Sequence, residues 1–177
     1  FVRTGWPMEY MPALLEPYKN LEKRDLILFP HRIASEKQVE IFKHLATQLP
    51  KYEFVVCQEQ ELTKHEYHTL LGQAKMVFSA NLQETLGISM YEGCLVGAIP
   101  MVPDRLSYTE MYNEFWRYPQ IWTYTRSNYN QYVNELCGMI VHRMENYDNL
   151  VGHVYEQADS LTKNFFSSDN LLKKFVV

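Results

Sequence analysis

Short apolar runs alternate with amphipathic segments along most of the chain. Runs at 25–30, 52–57, 75–79 and 99–102 are bounded by charged residues, proline or other turn-forming residues. Runs of this length are typical of strands that are buried on both faces of a parallel sheet. A fifth, aromatic-rich run at 119–124 predicts a further strand near an edge of the sheet.

The segments between these runs place apolar residues at the spacing of an α-helix. They predict helices that follow the strands, at 37–49, 63–71, 86–96 and 107–114. Ser35 is the predicted N-cap of the first helix. Thr63 and Glu66 form a capping-box pattern at the start of the second, in which each side chain can accept a hydrogen bond from a backbone N–H.

Residues 128–177 keep helical spacing with no further strand. The order of elements therefore predicts an α/β fold: a doubly wound parallel sheet of the Rossmann-like type with a helical C-terminal tail. We divide the chain into an entry segment (1–24), a core (25–126) and C-terminal helices that pack on the core (127–177).

In a doubly wound sheet, ligands bind beyond the carboxyl ends of the strands. Candidate functional residues are therefore expected in the loops at these ends. The loops are 30–37, 57–63, 79–87 and 102–110.

Composition narrows the possible functions. The chain has 177 residues, enough for one globular domain, and its formal net charge of −4 lacks the basic excess of a nucleic-acid-binding protein. No run approaches the roughly 18 apolar residues that a membrane-spanning helix needs. The opening residues contain no signal-peptide core and the chain does not begin with Met, so we expect a domain of a longer, cytoplasmic protein.

Two cationic residues stand in the loop after the first predicted strand. Arg32 and Lys37 are five positions apart across a strand-to-helix turn, so both can converge on the helix N-terminus. Free N–H groups and the helix dipole favour an anion there, which makes the loop a candidate diphosphate site. Glu36 counts against this interpretation unless its side chain points outward. The alternative is a solvated loop that binds nothing.

Two carboxylates accompany the loop after the third predicted strand. Glu84 lies before the predicted helix and Glu92 lies within it, about two turns further on. Gly87 has no side chain, so a phosphate could approach its N–H closely. Glu84 would then reach the hydroxyls of a bound sugar, and Glu92 would suit a bidentate hydrogen bond to a ribose. Alternatively, Glu84 only supports the helix N-terminus and Glu92 is solvated.

These segments resemble the C-terminal, donor-binding domain of GT-B glycosyltransferases of the retaining "group 1" class. HRIASEK at 31–37 is similar to the family's arginine-to-lysine loop, and ETLGISMYE at 84–92 is similar to its E-x7-E motif. EGCLVGAIPMV at 92–102 is similar to the family's helix end and following strand. The match covers roughly 29–110. The segment PDRLSYTEMY at 103–112 also resembles enzymes close to the tRNA-queuosine mannosyltransferases.

The resemblance implies three catalytic residues. Arg32 and Lys37 would hold the diphosphate of a UDP- or GDP-sugar donor and steady it as the leaving group. Glu84 would contact hydroxyls of the donor sugar. Fixed cations and N–H groups stabilise the charge that develops on a departing diphosphate, so no metal or other cofactor is required. Consistent with this, the sequence has no Asp-x-Asp cluster.

Further donor-binding residues also follow from the resemblance. The backbone around Leu86 and Gly87 would bind phosphate, Glu92 would bind the ribose, and Glu110 would add a polar contact. Two positions depart from the family pattern. His31 stands where the loop usually has glycine, which changes how closely phosphates approach, and Leu86 stands where an aromatic residue is usual.

The acceptor is not indicated by the sequence. Lipid, polysaccharide, protein and modified nucleic acid all stay open, because in GT-B enzymes the acceptor site belongs to a second, N-terminal Rossmann-like domain. Without that domain, we expect weak nucleotide binding and no transfer. Two other functions stay open on the same architecture: a sugar-nucleotide epimerase half-domain and a non-catalytic interaction module.

Overall fold

Five parallel strands form the centre of the molecule. The computed structural model describes residues 5–173, apart from the side chains of Asn170 and Leu171. The strands are β1 (Arg24–Phe29), β2 (Glu53–Val56), β3 (Ala74–Phe78), β4 (Ile99–Pro103) and β5 (Arg117–Tyr118). Their spatial order is β2-β1-β3-β4-β5, and every adjacent pair is parallel.

The described residues contain eight α-helices. They are α1 (Met11–Leu15), α2 (Val39–Gln48), α3 (Lys64–Gln73), α4 (Ile88–Leu95), α5 (Tyr108–Met111), α6 (Arg126–Glu145), α7 (Tyr147–Phe165) and α8 (Ser168–Lys173). Short 3-10 turns occur at Glu16–Tyr18, Ser35–Lys37, Cys57–Glu59, Glu114–Trp116 and Gln120–Thr123. Within residues 5–173, every helix is too short or too polar to span a bilayer.

The predicted fold class is confirmed. The sheet is doubly wound. The connection through α2 leads from β1 to β2, toward one edge of the sheet, and the connection through α4 leads from β3 to β4, toward the other edge. Right-handed crossovers in opposite directions lie on opposite faces of the sheet. The two long helices of the C-terminal tail cover both sides: α6 contacts α2, whereas α7 contacts α4 and β4. Residues 174–177 of the predicted tail and 1–4 of the predicted entry segment lie outside the described residues.

The four apolar strand predictions are confirmed, but the aromatic strand at 119–124 is wrong. Strand β5 is only Arg117–Tyr118, and Gln120–Thr123 forms a 3-10 turn. Pro119 has no N–H to donate, so it ends the pairing with β4. Trp122 then stacks on the Tyr118 ring, with 6.3 Å between the ring centroids.

The capping box of α3 is confirmed, whereas Ser35 does not cap α2. The Thr63 hydroxyl accepts a hydrogen bond from Glu66 N–H, and the Glu66 carboxylate accepts one from Thr63 N–H. Before α2, a 3-10 turn at Ser35–Lys37 is followed by Gln38 in the left-handed conformation (φ 55°), and Gln38 is the N-cap. Lys37, the last residue of the 3-10 turn, is only 8% exposed.

Helix α4 packs unusually close to β3 at Gly93. A Cβ atom at this position would lie 2.7 Å and 2.9 Å from the two methyl carbons of Val77, so only glycine fits without movement. Close packing brings the start of α4 to the carboxyl end of β3. Gly87, which precedes the helix, has φ 63° and is its N-cap.

Candidate functional site

The order of strands reverses between β1 and β3, which are neighbours in the sheet. At such a switch point the two following loops diverge and leave a crevice beyond the strand ends. A cleft of about 400 Å³ opens there. Its lining comes from the loop after β1, the loop after β3 and the start of α4; it includes His31, Arg32, Lys37, Glu84, Leu86, Gly87 and Ser89.

The fold brings Lys37 and Glu84 together in this cleft. Lys37 Nζ donates to Glu84 Oε2 at 3.1 Å and to the carbonyl oxygen of Gln83 at 2.7 Å. The two side chains are only 10% and 16% exposed, so this ion pair is screened less than one on the surface. A second link joins the same loops, because Leu82 N–H donates to the Glu36 carbonyl oxygen at 2.7 Å.

The Glu84 carboxylate is fixed from three directions. Besides Lys37, it accepts hydrogen bonds from Asn81 Nδ2 at 2.8 Å and from Thr85 N–H at 3.0 Å. Burial raises the pKa of Glu84, but the charge of Lys37 and the hydrogen bonds from Thr85 N–H and Lys37 outweigh burial, so the pKa is lowered overall. Glu84 is therefore ionised near neutral pH and available as a hydrogen-bond acceptor.

Arg105 anchors the loop that carries Asn81 and Glu84. Its guanidinium is buried and donates to the carbonyl oxygens of Ala80 and Asn81, at 2.7 Å and 2.8 Å. It also donates to Gln120 O at 2.9 Å and to Thr123 Oγ1 at 3.0 Å, both in the turn after β5. The planar guanidinium group has five N–H donors in fixed directions, which suits these four oxygen acceptors. The loop after β3 is thus held rigidly from behind.

The start of α4 presents backbone donors to the cleft. Ile88 and Ser89, the first two residues of α4, line the cleft, and their N–H groups have no acceptor within the helix; Gly87 caps this end without a side-chain hydrogen bond. A Cβ atom on Gly87 would lie 3.0 Å from Tyr108 Cε1, so the glycine also lets Tyr108 pack against the loop. Leu86 lines the cleft beside it and is half-buried. These donors and the helix dipole favour an anionic ligand.

Arg32 lies at the rim of the cleft. Its side chain is 69% exposed and forms an ion pair with Glu36, one turn along the chain. The diphosphate interpretation needed Glu36 to point outward, but its side chain is only 19% exposed and pairs with Arg32. Because the guanidinium end of the pair is mostly exposed, the pair contributes little to stability, and Arg32 can exchange Glu36 for a ligand at small cost.

His31 forms part of the cleft wall and is 5% exposed. Its ring packs edge-on against Phe29, with 5.1 Å between centroids. Nδ1 lies 3.4 Å from Ser89 Oγ and 3.5 Å from Asn81 Nδ2. Burial lowers the pKa of His31 to about 4, with Glu84 acting against this shift, so the imidazole is neutral near pH 7.

Glu92 lies apart from these residues. Its carboxylate accepts a hydrogen bond from Tyr67 on α3 at 3.0 Å, and it is not among the residues that line the cleft. Burial raises the pKa of Glu92, and the Tyr67 hydrogen bond acts in the opposite direction. Glu92, which was predicted to bind the ribose, is thus hydrogen-bonded to a neighbouring helix in this structure.

Glu110 lines a different and larger cavity, of about 710 Å³, between the segment that follows β4 and α7. Its other lining residues include Tyr112, Trp116, His153 and Glu156, and contain no lysine or arginine. Acidic lining without a cation suits a diphosphate poorly. The smaller cleft at the switch point is therefore the better candidate for an anionic ligand.

Sequence reasoning did not single out Asn81 or Arg105. Both lie in loops at the carboxyl ends of strands, where ligand contacts are expected. This position in the fold is the signal by which the sequence could have identified them. The role of Gln38 had no such indication: its side chain donates to Ala80 O and Thr123 O, at 2.6 Å and 2.8 Å, from a residue with positive φ. Among the residues described, no three His, Cys, Asp or Glu side chains are grouped as metal ligands.

No family model matches this chain. No curated protein matches it either. Among solved structures, it is similar to the crystal structure of the pneumococcal O-GlcNAc transferase GtfA in complex with UDP and GlcNAc, with a TM-score of 0.60 and 13% identity. The match covers 87% of this chain and 35% of that one, so the chain spans about a third of the length of the transferase. At this identity the likeness shows the fold alone: the chain shares its α/β fold with part of that transferase.

Proposed function

We propose that this chain is the donor-binding domain of a retaining glycosyltransferase and that it binds a UDP- or GDP-sugar in the switch-point cleft. One observation carries the proposal: Lys37 and Glu84, from loops that follow two neighbouring strands, meet in a partly buried pair beside the start of α4. A cation and helix N–H groups suit the diphosphate, and the carboxylate suits sugar hydroxyls.

Lys37 is the main ligand of the diphosphate in this proposal. A lysine ammonium has three N–H donors, and hydrogen bonds to Gln83 and Glu84 use two of them. The third is left for a phosphate oxygen, which would also bind the first N–H groups of α4. Arg32 joins from the rim after it leaves Glu36.

The same groups account for the chemistry. When the sugar–phosphate bond breaks, negative charge develops on the departing diphosphate, and prepositioned cations and N–H groups stabilise that charge. Lys37 and Arg32 supply this stabilisation, so we propose no metal cofactor. Glu84, held ionised by Lys37 and hydrogen-bonded to Asn81, accepts hydrogen bonds from the donor sugar. For Glu92 to bind the ribose, its hydrogen bond with Tyr67 has to be exchanged.

The comparison with solved structures supports a sugar nucleotide over other anions. The transferase of similar fold was crystallised with UDP and GlcNAc. Because this chain covers about a third of that protein, transfer itself is proposed for an assembly that includes an acceptor-binding domain. The acceptor class is left out of the proposal.

Isothermal titration calorimetry with UDP, GDP and their sugar conjugates tests the proposal. We expect one nucleotide diphosphate to bind in the micromolar to millimolar range, and Lys37→Met to weaken it about tenfold or more, since a charge-assisted hydrogen bond is lost. Lys51→Met is the control, because Lys51 pairs with Glu145 on the surface, away from the cleft. Failure of the folded wild-type chain to bind any of these compounds would reject a donor site.

Product analysis separates the proposed transferase from an epimerase of the same architecture. The full-length protein, given a sugar nucleotide that the chain binds, is expected to release free nucleotide diphosphate in the presence of an acceptor. An isomerised sugar nucleotide with no released diphosphate would instead identify an epimerase.

A further inference from the structure

Lys37 lies between two hydrogen bonds that join its loop to the loop after β3. On one side, the carbonyl oxygen of Glu36 accepts a hydrogen bond from Leu82 N–H at 2.7 Å. On the other side, Gln38 Nε2 donates to the carbonyl oxygen of Ala80 at 2.6 Å. The residues immediately before and after the lysine are therefore both tied to the loop that carries its partner carboxylate.

The Gln38 amide also reaches a third loop. Its Nε2 donates to the carbonyl oxygen of Thr123 at 2.8 Å, in the turn after β5. Because both contacts of this nitrogen are carbonyl oxygens, the orientation of the amide is fixed: its oxygen could not take the same place. Arg105 joins the same two segments through Ala80 O and Thr123 Oγ1. Gln38 thus adds the loop after β1 to the buried network of Arg105.

The backbone of Gln38 indicates that its side chain is needed. Gln38 has φ 55° and ψ 45°, in the left-handed region. Residues other than glycine rarely take a positive φ, and glycine would take it without strain. Strain of this kind persists where the surrounding structure imposes it, often at functional sites. Pairing of Ala80 O does not account for it, since Arg105 already donates to that oxygen at 2.7 Å. What the amide adds is the connection between the loops.

We propose that Gln38 is a positioning residue of the donor site, whose amide holds the Lys37 ammonium beside Glu84 and the start of α4. The inference rests on the proposed function. Gln38 is not among the residues that line the cleft, so it acts on the diphosphate through Lys37. Without the amide, the 3-10 turn at Ser35–Lys37 keeps its link through Glu36 but is no longer held after the lysine. Ligand binding then also has to order Lys37, which lowers affinity.

Two substitutions that remove the amide test the proposal. Gln38→Met keeps the length of the side chain, whereas Gln38→Gly relieves the positive φ. Affinities for UDP and GDP are measured by calorimetry, and thermal unfolding is measured on the same samples. Both variants are expected to bind the nucleotide that the wild type prefers roughly three- to tenfold more weakly. Gln38→Gly is expected to have the higher melting temperature of the two.

Gln157→Met is the matched control for loss of a glutamine that bridges two segments. Gln157, on α7, donates to Met111 O and accepts a hydrogen bond from Asn113 N–H, both at 2.9 Å. It lines the larger cavity and not the switch-point cleft. We therefore expect Gln157→Met to lower the melting temperature and to leave nucleotide affinity unchanged.

A double-mutant cycle shows whether Gln38 acts through Lys37. In that case Gln38→Met, added to Lys37→Met, weakens binding by less than about twofold further. Losses that multiply would overturn the positioning role, because Gln38 would then act independently of the lysine. Wild-type affinity in Gln38→Gly would also overturn it, since the amide would be dispensable. If Gln38→Met does not fold, Gln38→Gly replaces it in the cycle.

The same measurements separate this inference from the proposed function. Absence of nucleotide binding by the folded wild-type chain would reject the donor site, and the positioning role with it. Binding by the wild type, with unchanged affinity in both Gln38 variants, would reject the positioning role alone.

Discussion

Lys37 Nζ lies 3.1 Å from Glu84 Oε2, although 47 positions separate the two residues along the chain. Each residue ends up there because its loop follows one of two neighbouring parallel strands. In the ligand-free protein, the carboxylate therefore neutralises the cation that the proposed diphosphate would contact. This competition makes the first prediction.

Removing the charge of Glu84 is expected to maintain or improve diphosphate binding. In Glu84→Gln, Lys37 is no longer neutralised, while the amide still accepts hydrogen bonds from Asn81. We expect UDP or GDP to bind with wild-type affinity or up to about threefold more tightly, whereas the sugar conjugate loses its additional affinity. Calorimetry with both compounds checks this. A loss of diphosphate affinity as large as that in Lys37→Met would contradict the assigned competition.

Stability is expected to fall between about pH 6.5 and pH 4 because of His31. Its pKa is lowered to about 4 in the folded protein, so the unfolded chain binds a proton first as the pH drops. The contribution of neutral His31 is complete above about pH 6.5 and is lost toward pH 4. A pKa that drops from about 6.5 to about 4 corresponds to about 3 kcal/mol.

The variant His31→Phe isolates this contribution. Glu84, whose pKa is lowered, also loses stability in acid, but it does so in both proteins. Urea unfolding at several pH values should therefore give a difference between wild type and variant that grows as the pH falls from 6.5 to 4. A constant difference across this range would show that His31 does not titrate as the structure indicates.

Gly93 is predicted to be needed for the position of α4. Gly93→Ala places a methyl group 2.7 Å from Val77 Cγ2, so helix and strand have to separate, and we expect about 1–3 kcal/mol of destabilisation together with weaker nucleotide binding. Gly138→Ala is the matched control, because its Cβ meets nothing within 4 Å on helix α6. That change should stabilise by about 0.5–1 kcal/mol. Equal effects at both positions, measured by denaturant unfolding, would reject the close contact.

Arg105 is predicted to hold the loop of Asn81 and Glu84 in place. Arg105→Met removes a donor from four oxygen atoms, of which Ala80 O keeps the Gln38 side chain and Thr123 Oγ1 keeps the Tyr118 hydroxyl, so we expect a loss of about 3 kcal/mol in the free energy of unfolding. Arg24→Met removes an exposed pair with Glu53 and should cost about 1 kcal/mol or less. Chemical denaturation of both variants checks this. Similar losses would mean that the buried network contributes little.

Much of the fold follows from local patterns. The runs at 25–30, 75–79 and 99–102 are apolar because β1, β3 and β4 are buried on both faces, whereas β2 (run 52–57) is a partly buried edge strand; these apolar runs are visible without the structure. Thr63 and Glu66 predict their helix start because the capping box involves only residues three apart. The strand predicted from the aromatic run at 119–124 is wrong because Pro119 ends strand pairing, and aromatic side chains can pack in a turn as well as in a strand.

The site depended on both levels. The sequence by itself determined that Arg32, Lys37, Glu84 and Gly87 belong to loops at the carboxyl ends of strands, because the order of strands and helices decides which loops share an edge. Only the tertiary structure decided that Lys37 turns inward to Gln83 and Glu84, and that Glu92 faces Tyr67. The direction of a side chain depends on backbone reversals and on neighbours far away in sequence, which no local periodicity encodes.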